Sequence, residues 1–87
     1  MSHVLIRSKV QDSSKWKAAY DAHLGVRKAA GLTERQLFHN ADNPNEIVIL
    51  FEASDLGKAR AFFSSDDLRQ KMQASGVVDK PDIYFLT

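Results

Sequence analysis

The 87-residue chain contains no cysteine, which closes the disulfide and thiolate-zinc routes by which small folds are often stabilised. It has no apolar run near the roughly 18–20 residues of a membrane-spanning helix. Its first residues lack the charged region and long apolar segment of a signal peptide, and the expected compartment is the cytoplasm. An excess of one charge sign is also missing, since twelve Lys and Arg stand against eleven Asp and Glu. The longest same-sign stretches are the pairs Arg27-Lys28 and Asp66-Asp67, so no broad field draws in nucleic acid or an anionic membrane. The four glycines make neither a dinucleotide fingerprint nor a phosphate loop. One domain spanning residues 1–87 is expected. A chain of this length buries only about 60–65% of the surface its unfolded form exposes, and with cysteine excluded, self-association is the expected remedy.

The residues that are present pattern clearly. Val4-Leu5-Ile6 followed by Ser8 and Val10 predicts a strand of about eight residues. Asp12, Ser13 and Ser14 are N-cap candidates for a helix in which Trp16, Ala19, Tyr20, His23, Arg27 and Ala30 follow the 3.6-residue period, with Gly31 closing it. Gly25 falls inside that pattern and costs about 1 kcal/mol relative to Ala, and the helix is expected to run on through it. Arg35 to His39 and Ile47 to Phe51 predict two strands joined as a hairpin through the turn formers of residues 40–45. Asp55 or Ser54 caps a short helix carrying Leu56, Ala59, Phe62 and Phe63. Ser64-Ser65 starts another with Leu68 and Met72 one turn apart, Gly76 follows its end, and Pro81 opens a last strand, Ile83 to Leu86.

This order is the ferredoxin-like βαββαβ arrangement, an α+β fold with a four-stranded antiparallel sheet and its helices on one face. A sheet with one wet face alternates apolar and polar residues. Ile47-Val48-Ile49-Leu50-Phe51 and Ile83-Tyr84-Phe85-Leu86 do not. The second apolar face is expected to meet a second copy of itself, giving a homodimer closed into an α+β barrel; the alternative is a loop or tail laid over that face.

Chemistry concentrates on the first helix. At 100° per residue, His23 and Arg27 fall within about 20° of Trp16, in the middle of the stripe that faces the sheet. Polar groups there are costly unless hydrogen-bonded or hydrated. The functional reading is a polar corner in an apolar pocket for a small, partly aromatic ligand. His23 is the candidate general base, its ordinary pKa being near neutrality, and Arg27 the group that holds a carboxylate, phenolate or enolate. The structural alternative bonds His23 to a backbone carbonyl and sends Arg27 to the helix edge or to Glu52. Trp16, Tyr20, Phe63, Met72 and Phe85 are candidate ligand contacts or plain core, with Tyr20 singled out by a hydroxyl that needs a partner.

Other chemistries are disfavoured. His3, His23 and His39 lie on separate elements without ligand spacing, so no metal site is expected. Asp66 and Asp67 would repel phosphate from the Ser64-Ser65 helix start. Ferredoxin-like RNA binders carry a basic-aromatic third strand, whereas this one reads Glu46-Ile47-Val48-Ile49-Leu50-Phe51-Glu52.

The segment Trp16…His23…Arg27…Gly31, the turn Asp42-Asn43-Pro44-Asn45 before an apolar strand, and the run from Ser64 through Met72 and Gly76 to Pro81 resemble small bacterial proteins of the dimeric α+β barrel superfamily. That group includes antibiotic-biosynthesis-monooxygenase-like and polyketide-cyclase-like members, and the resemblance covers essentially the whole chain. It implies a homodimer and a pocket whose polar pair is His23 and Arg27. Any catalysis would be proton abstraction by His23 with Arg27 stabilising the oxyanion, supporting cyclisation or reaction of a carbanion with oxygen without a bound cofactor. A non-catalytic ligand-binding or regulatory module, and a purely structural dimer with a solid interior, are the alternatives.

Overall fold

The computed structural model describes residues 2–78 and 80–87. The chain runs β1 (Ser2–Lys9), α1 (Ser13–Ala22), α2 (Leu24–Ala29), β2 (Leu32–Asn40), β3 (Asn43–Ala53), α3 (Leu56–Phe63), α4 (Asp66–Ala74) and β4 (Asp82–Leu86). The strands form one antiparallel sheet in the order β2-β3-β1-β4, the split arrangement expected of βαββαβ.

Side-chain chemistry accounts for the element starts. Asp12 accepts from the Ser14 and Lys15 amides, Asp55 from Lys58 and Ser65 from Leu68, so α1, α3 and α4 each begin where a short oxygen-bearing side chain satisfies an orphan N–H. Gly31, at φ +78°, ends α2, and its carbonyl accepts from the Ser54 amide at 2.9 Å, tying the helix end to the end of β3. A Cβ there would collide with the Ser54 hydroxyl.

Two expectations are corrected. The first helix does not run on: it breaks at His23, where φ −99° and ψ 16° close α1 and open α2, while Gly25 sits inside α2 with open space beside its Cα. The His23 amide donates back three residues, to the Tyr20 carbonyl at 3.2 Å, which tightens the last turn of α1. The hairpin is also tighter and its strands longer than the turn formers suggest. Asn40 pairs with Asn43, Ala41 and Asp42 make the turn, and residues 43–45 belong to β3. Side-chain bonds from Asn40 to the Asp42 amide and from Asn43 to the Asn45 amide let the turn formers serve inside the ladder.

All helices lie on one side of the sheet. The inward residues Val4, Ile6, Ile47, Ile49 and Phe51 form the core with Trp16 and Ala59. On the other side, Leu5 is paired with Leu50 and with Tyr84, and Val48 with Phe38. Phe38 and Tyr84 are each 53% exposed and Leu86 41%. Ion pairs flank this apolar patch: Arg7 with Glu46 and Asp82, and Arg35 with Glu52. The Arg7 guanidinium, by hydrogen bonding, holds the Glu46 carboxyl below the usual carboxylate range. Among the described residues, no helix is long and apolar enough to cross a membrane.

Candidate functional site

A cavity of about 80 Å³ lies between the sheet and the two pairs of helices that cover it. Ile6, Ser8, Ile49 and Phe51 make its floor; Trp16, Tyr20, His23 and Arg27 stand on one wall; Phe63, Leu68, Lys71 and Met72 form the other. Four of the five candidate ligand contacts, Trp16, Tyr20, Phe63 and Met72, therefore converge on one space with the polar pair His23 and Arg27. Phe85 does not: its ring packs against Phe63 at 6.2 Å and lies under the Arg60 guanidinium at 4.5 Å.

The break at His23 shapes the polar wall. Ending α1 there frees the Tyr20 carbonyl from a full helical partner, and Arg27 Nη1 donates to it at 2.5 Å. The same guanidinium lies 3.6 Å from the Tyr20 ring centroid, and Tyr20 in turn stacks on Trp16 at 4.8 Å and 22°. Arg27 is thus neither at the helix edge nor paired with Glu52, whose partner is Arg35 on the opposite face of the sheet. It is 7% exposed and meets no carboxylate among the described residues. A guanidinium carries five donors, and here one is used on a protein oxygen.

Tyr20 is anchored at its other end by a hydroxyl that donates to Glu34 Oε1 at 2.7 Å, bridging α1 to β2. Burial, and then this bond to a carboxylate, pushes the phenol well above the ordinary tyrosine range, so it stays protonated. Because the folded form holds this proton more tightly, its contribution is intact below the unfolded value of about 10 and declines as pH rises through it. Alkaline melting curves of Tyr20→Phe are expected to lose that part of the pH dependence, with stability near neutrality lower by about 1 kcal/mol for the missing hydrogen bond.

Three polar lining residues were not singled out from the sequence. Ser8 follows from β1 alternation, since Val4, Ile6, Ser8 and Val10 share the inward face and Ser8 breaks an apolar row. Lys71 lies three residues after Leu68 and beside Met72, a position helical spacing makes available. Ser75 bonds back to the Met72 carbonyl at 2.8 Å. Among the described residues no acidic side chain lines the cavity. His3 pairs with Glu52 and Leu86 on the outer face, while His39 Nδ1 lies 2.9 Å from the Pro44 carbonyl, so the histidines are far apart in the fold. Among the described residues no group of three His, Asp or Glu gathers at one point.

This combination defines an α+β sheet protein with a single-layer helical cover over a small, cation-lined cavity. Comparison with solved structures places the fold. An antibiotic biosynthesis monooxygenase superposes with TM-score 0.71 at 11% identity, over 100% of this chain and 97% of the other. A cofactor-independent oxygenase from Streptomyces nogalater superposes with TM-score 0.73 at 12% identity, over 99% and 90%. Protein Rv0793 from Mycobacterium tuberculosis gives TM-score 0.67 at 16% identity, over 99% and 92%. The chain has the fold of the antibiotic biosynthesis monooxygenase structures across its whole length. No protein-family model matches the sequence, and no curated protein matches it.

Proposed function

We propose that the protein is a homodimeric binder of a small aromatic or polyketide-like molecule, taken up in the cavity beside His23 and Arg27. The observation that carries this reading is Arg27: a buried guanidinium without a carboxylate partner among the described residues, its spare donors beside an apolar cavity, is costly unless an anion or water meets it. A dry cavity of about 150 Å³ holds benzene. At about 80 Å³ this one admits a ring only when a flexible wall residue such as Met72 moves aside. The homodimer is argued from the outer sheet face, whose apolar centre and charged margins suit a two-fold, self-complementary contact.

The catalytic form of the reading is supported by the oxygenase named among the structural neighbours. His23 removes a proton from an enolisable carbon or a phenol, and Arg27 holds the oxyanion. The carbanion adds dissolved dioxygen to give a substrate peroxide anion, which takes back the proton held by His23, and the resulting hydroperoxide loses water to leave a carbonyl. Each turn consumes one dioxygen and one substrate CH₂ group. Oxygen uptake with dihydroxynaphthalenes, without added metal or cofactor, is the test, and His23→Ala is expected to abolish it while the dimer stays folded. Uptake unchanged in His23→Ala would remove His23 from the role of base.

A second reading, a ligand-binding module without chemistry, is favoured by one feature. The His23 ring makes no hydrogen bond among the described residues, so none of them orients it as a base. Ligand-induced thermal stabilisation without oxygen uptake or product would select that reading.

A further inference from the structure

Three different elements each bring a polar group to the cavity: α2 supplies Arg27, the floor strand β1 supplies Ser8, and α4 supplies Lys71 from the facing wall. Ser8 is 6% exposed, yet its hydroxyl has no hydrogen-bond partner among the described residues. No sealed side-chain nitrogen or oxygen lacks a partner either, so the Ser8 hydroxyl opens onto the cavity it lines. Ser75 is different, because its hydroxyl is already spent on the Met72 carbonyl. Ser8 is therefore the uncommitted hydroxyl of the floor.

Lys71 is tethered to Asp67 at 3.1 Å, but Asp67 is 74% exposed, and an ion pair so open to water is worth little. A ligand anion exchanges for Asp67 at small cost. With Arg27 on one wall, Lys71 on the other and no carboxylate of the described residues between them, the cavity favours negative charge.

We infer that Ser8 and Lys71 are specificity-determining residues that make the cavity selective for an aromatic acid bearing a second, uncharged oxygen. The anionic group is drawn to the side shared by Lys71 and Arg27, and the hydroxyl or carbonyl oxygen bonds to Ser8 on the floor. This inference rests on the proposal that the cavity takes a small aromatic ligand, and adds the charge and the second polar group.

The test uses the one tryptophan of the chain, Trp16, whose ring lines the cavity and reports occupancy by fluorescence. The probes are para-hydroxybenzoate, its neutral analogue para-hydroxybenzamide, and benzoate, which lacks the second oxygen. The acid is expected to bind about 10-fold more tightly than the amide, and Lys71→Met to reduce that preference about five-fold, the size of a solvent-screened ion pair. Asp67→Asn, which releases Lys71, is expected to keep or raise the preference. Ser8→Ala is expected to erase the advantage of para-hydroxybenzoate over benzoate, about five-fold, without lowering the melting temperature, because the hydroxyl it removes has no partner among the described residues. Equal binding of acid and amide, or a preference that Lys71→Met and Ser8→Ala leave untouched, overturns the inference while the cavity reading stands. Failure of all three probes to bind overturns the cavity reading and the inference with it.

Discussion

Light scattering at micromolar concentration is expected to return twice the chain mass for the protein and a single chain mass for Leu50→Lys. Leu50 lies on β3 between Gln36 and Leu5, at the middle of the outer sheet face, with Tyr84 one strand further on. Each half-exposed large side chain left there forgoes on the order of 1 kcal/mol of burial, and the patch holds several, which a two-fold pairing of identical faces recovers. An ammonium placed at the centre of such an interface loses its water and gains no partner, at a cost of about 3–5 kcal/mol, or roughly a 10³-fold weaker association. Tyr84→Lys, on the edge strand and already 53% exposed, separates this effect from damage to the single subunit and is expected to act in the same direction. A single chain mass for the unmodified protein would overturn the homodimer.

Arg27→Met is expected to lower stability by about 1–3 kcal/mol and the affinity for an aromatic acid by about 100-fold. Two separate interactions are lost. The Tyr20 carbonyl gives up the donor that closes α1, and the Tyr20 ring gives up the cation over its face. Met keeps much of the stem volume, so the loss is of charge and donors rather than of packing. For a domain of this size the stability change corresponds to roughly 5–20 °C in melting temperature, compared at one protein concentration. Arg27→Lys is expected to restore little, since an ammonium cannot lie flat on the Tyr20 ring while donating to its carbonyl. Recovery of both stability and acid binding in Arg27→Lys would show that charge alone matters at this position.

Much of the architecture was legible along the chain because it depends on near neighbours. The caps Asp12, Asp55 and Ser65 act on amides two or three residues away, and Gly31 needs only its own backbone angle. The helical period likewise put Trp16, His23 and Arg27 on one stripe. The break at His23 was not legible, and Gly25 pointed to the wrong place. What accompanies it is a side chain four residues beyond the break: Arg27 reaches back to the Tyr20 carbonyl, which there has only the short bond from the His23 amide, and Tyr20 is held by Glu34 on a strand.

The sequence by itself determined the βαββαβ order, the helical cover on one face, the surplus apolar face on the other, and the placing of His23 and Arg27 inward. These follow from periodicity and capping, which are local properties. Only the tertiary structure decided that Ser8 and Lys71 join that pair, that Phe85 stays out, and that Glu52 serves Arg35 rather than Arg27. Each of those outcomes depends on the distance between elements far apart in the chain, and that distance is set by how the two pairs of helices seat on the sheet.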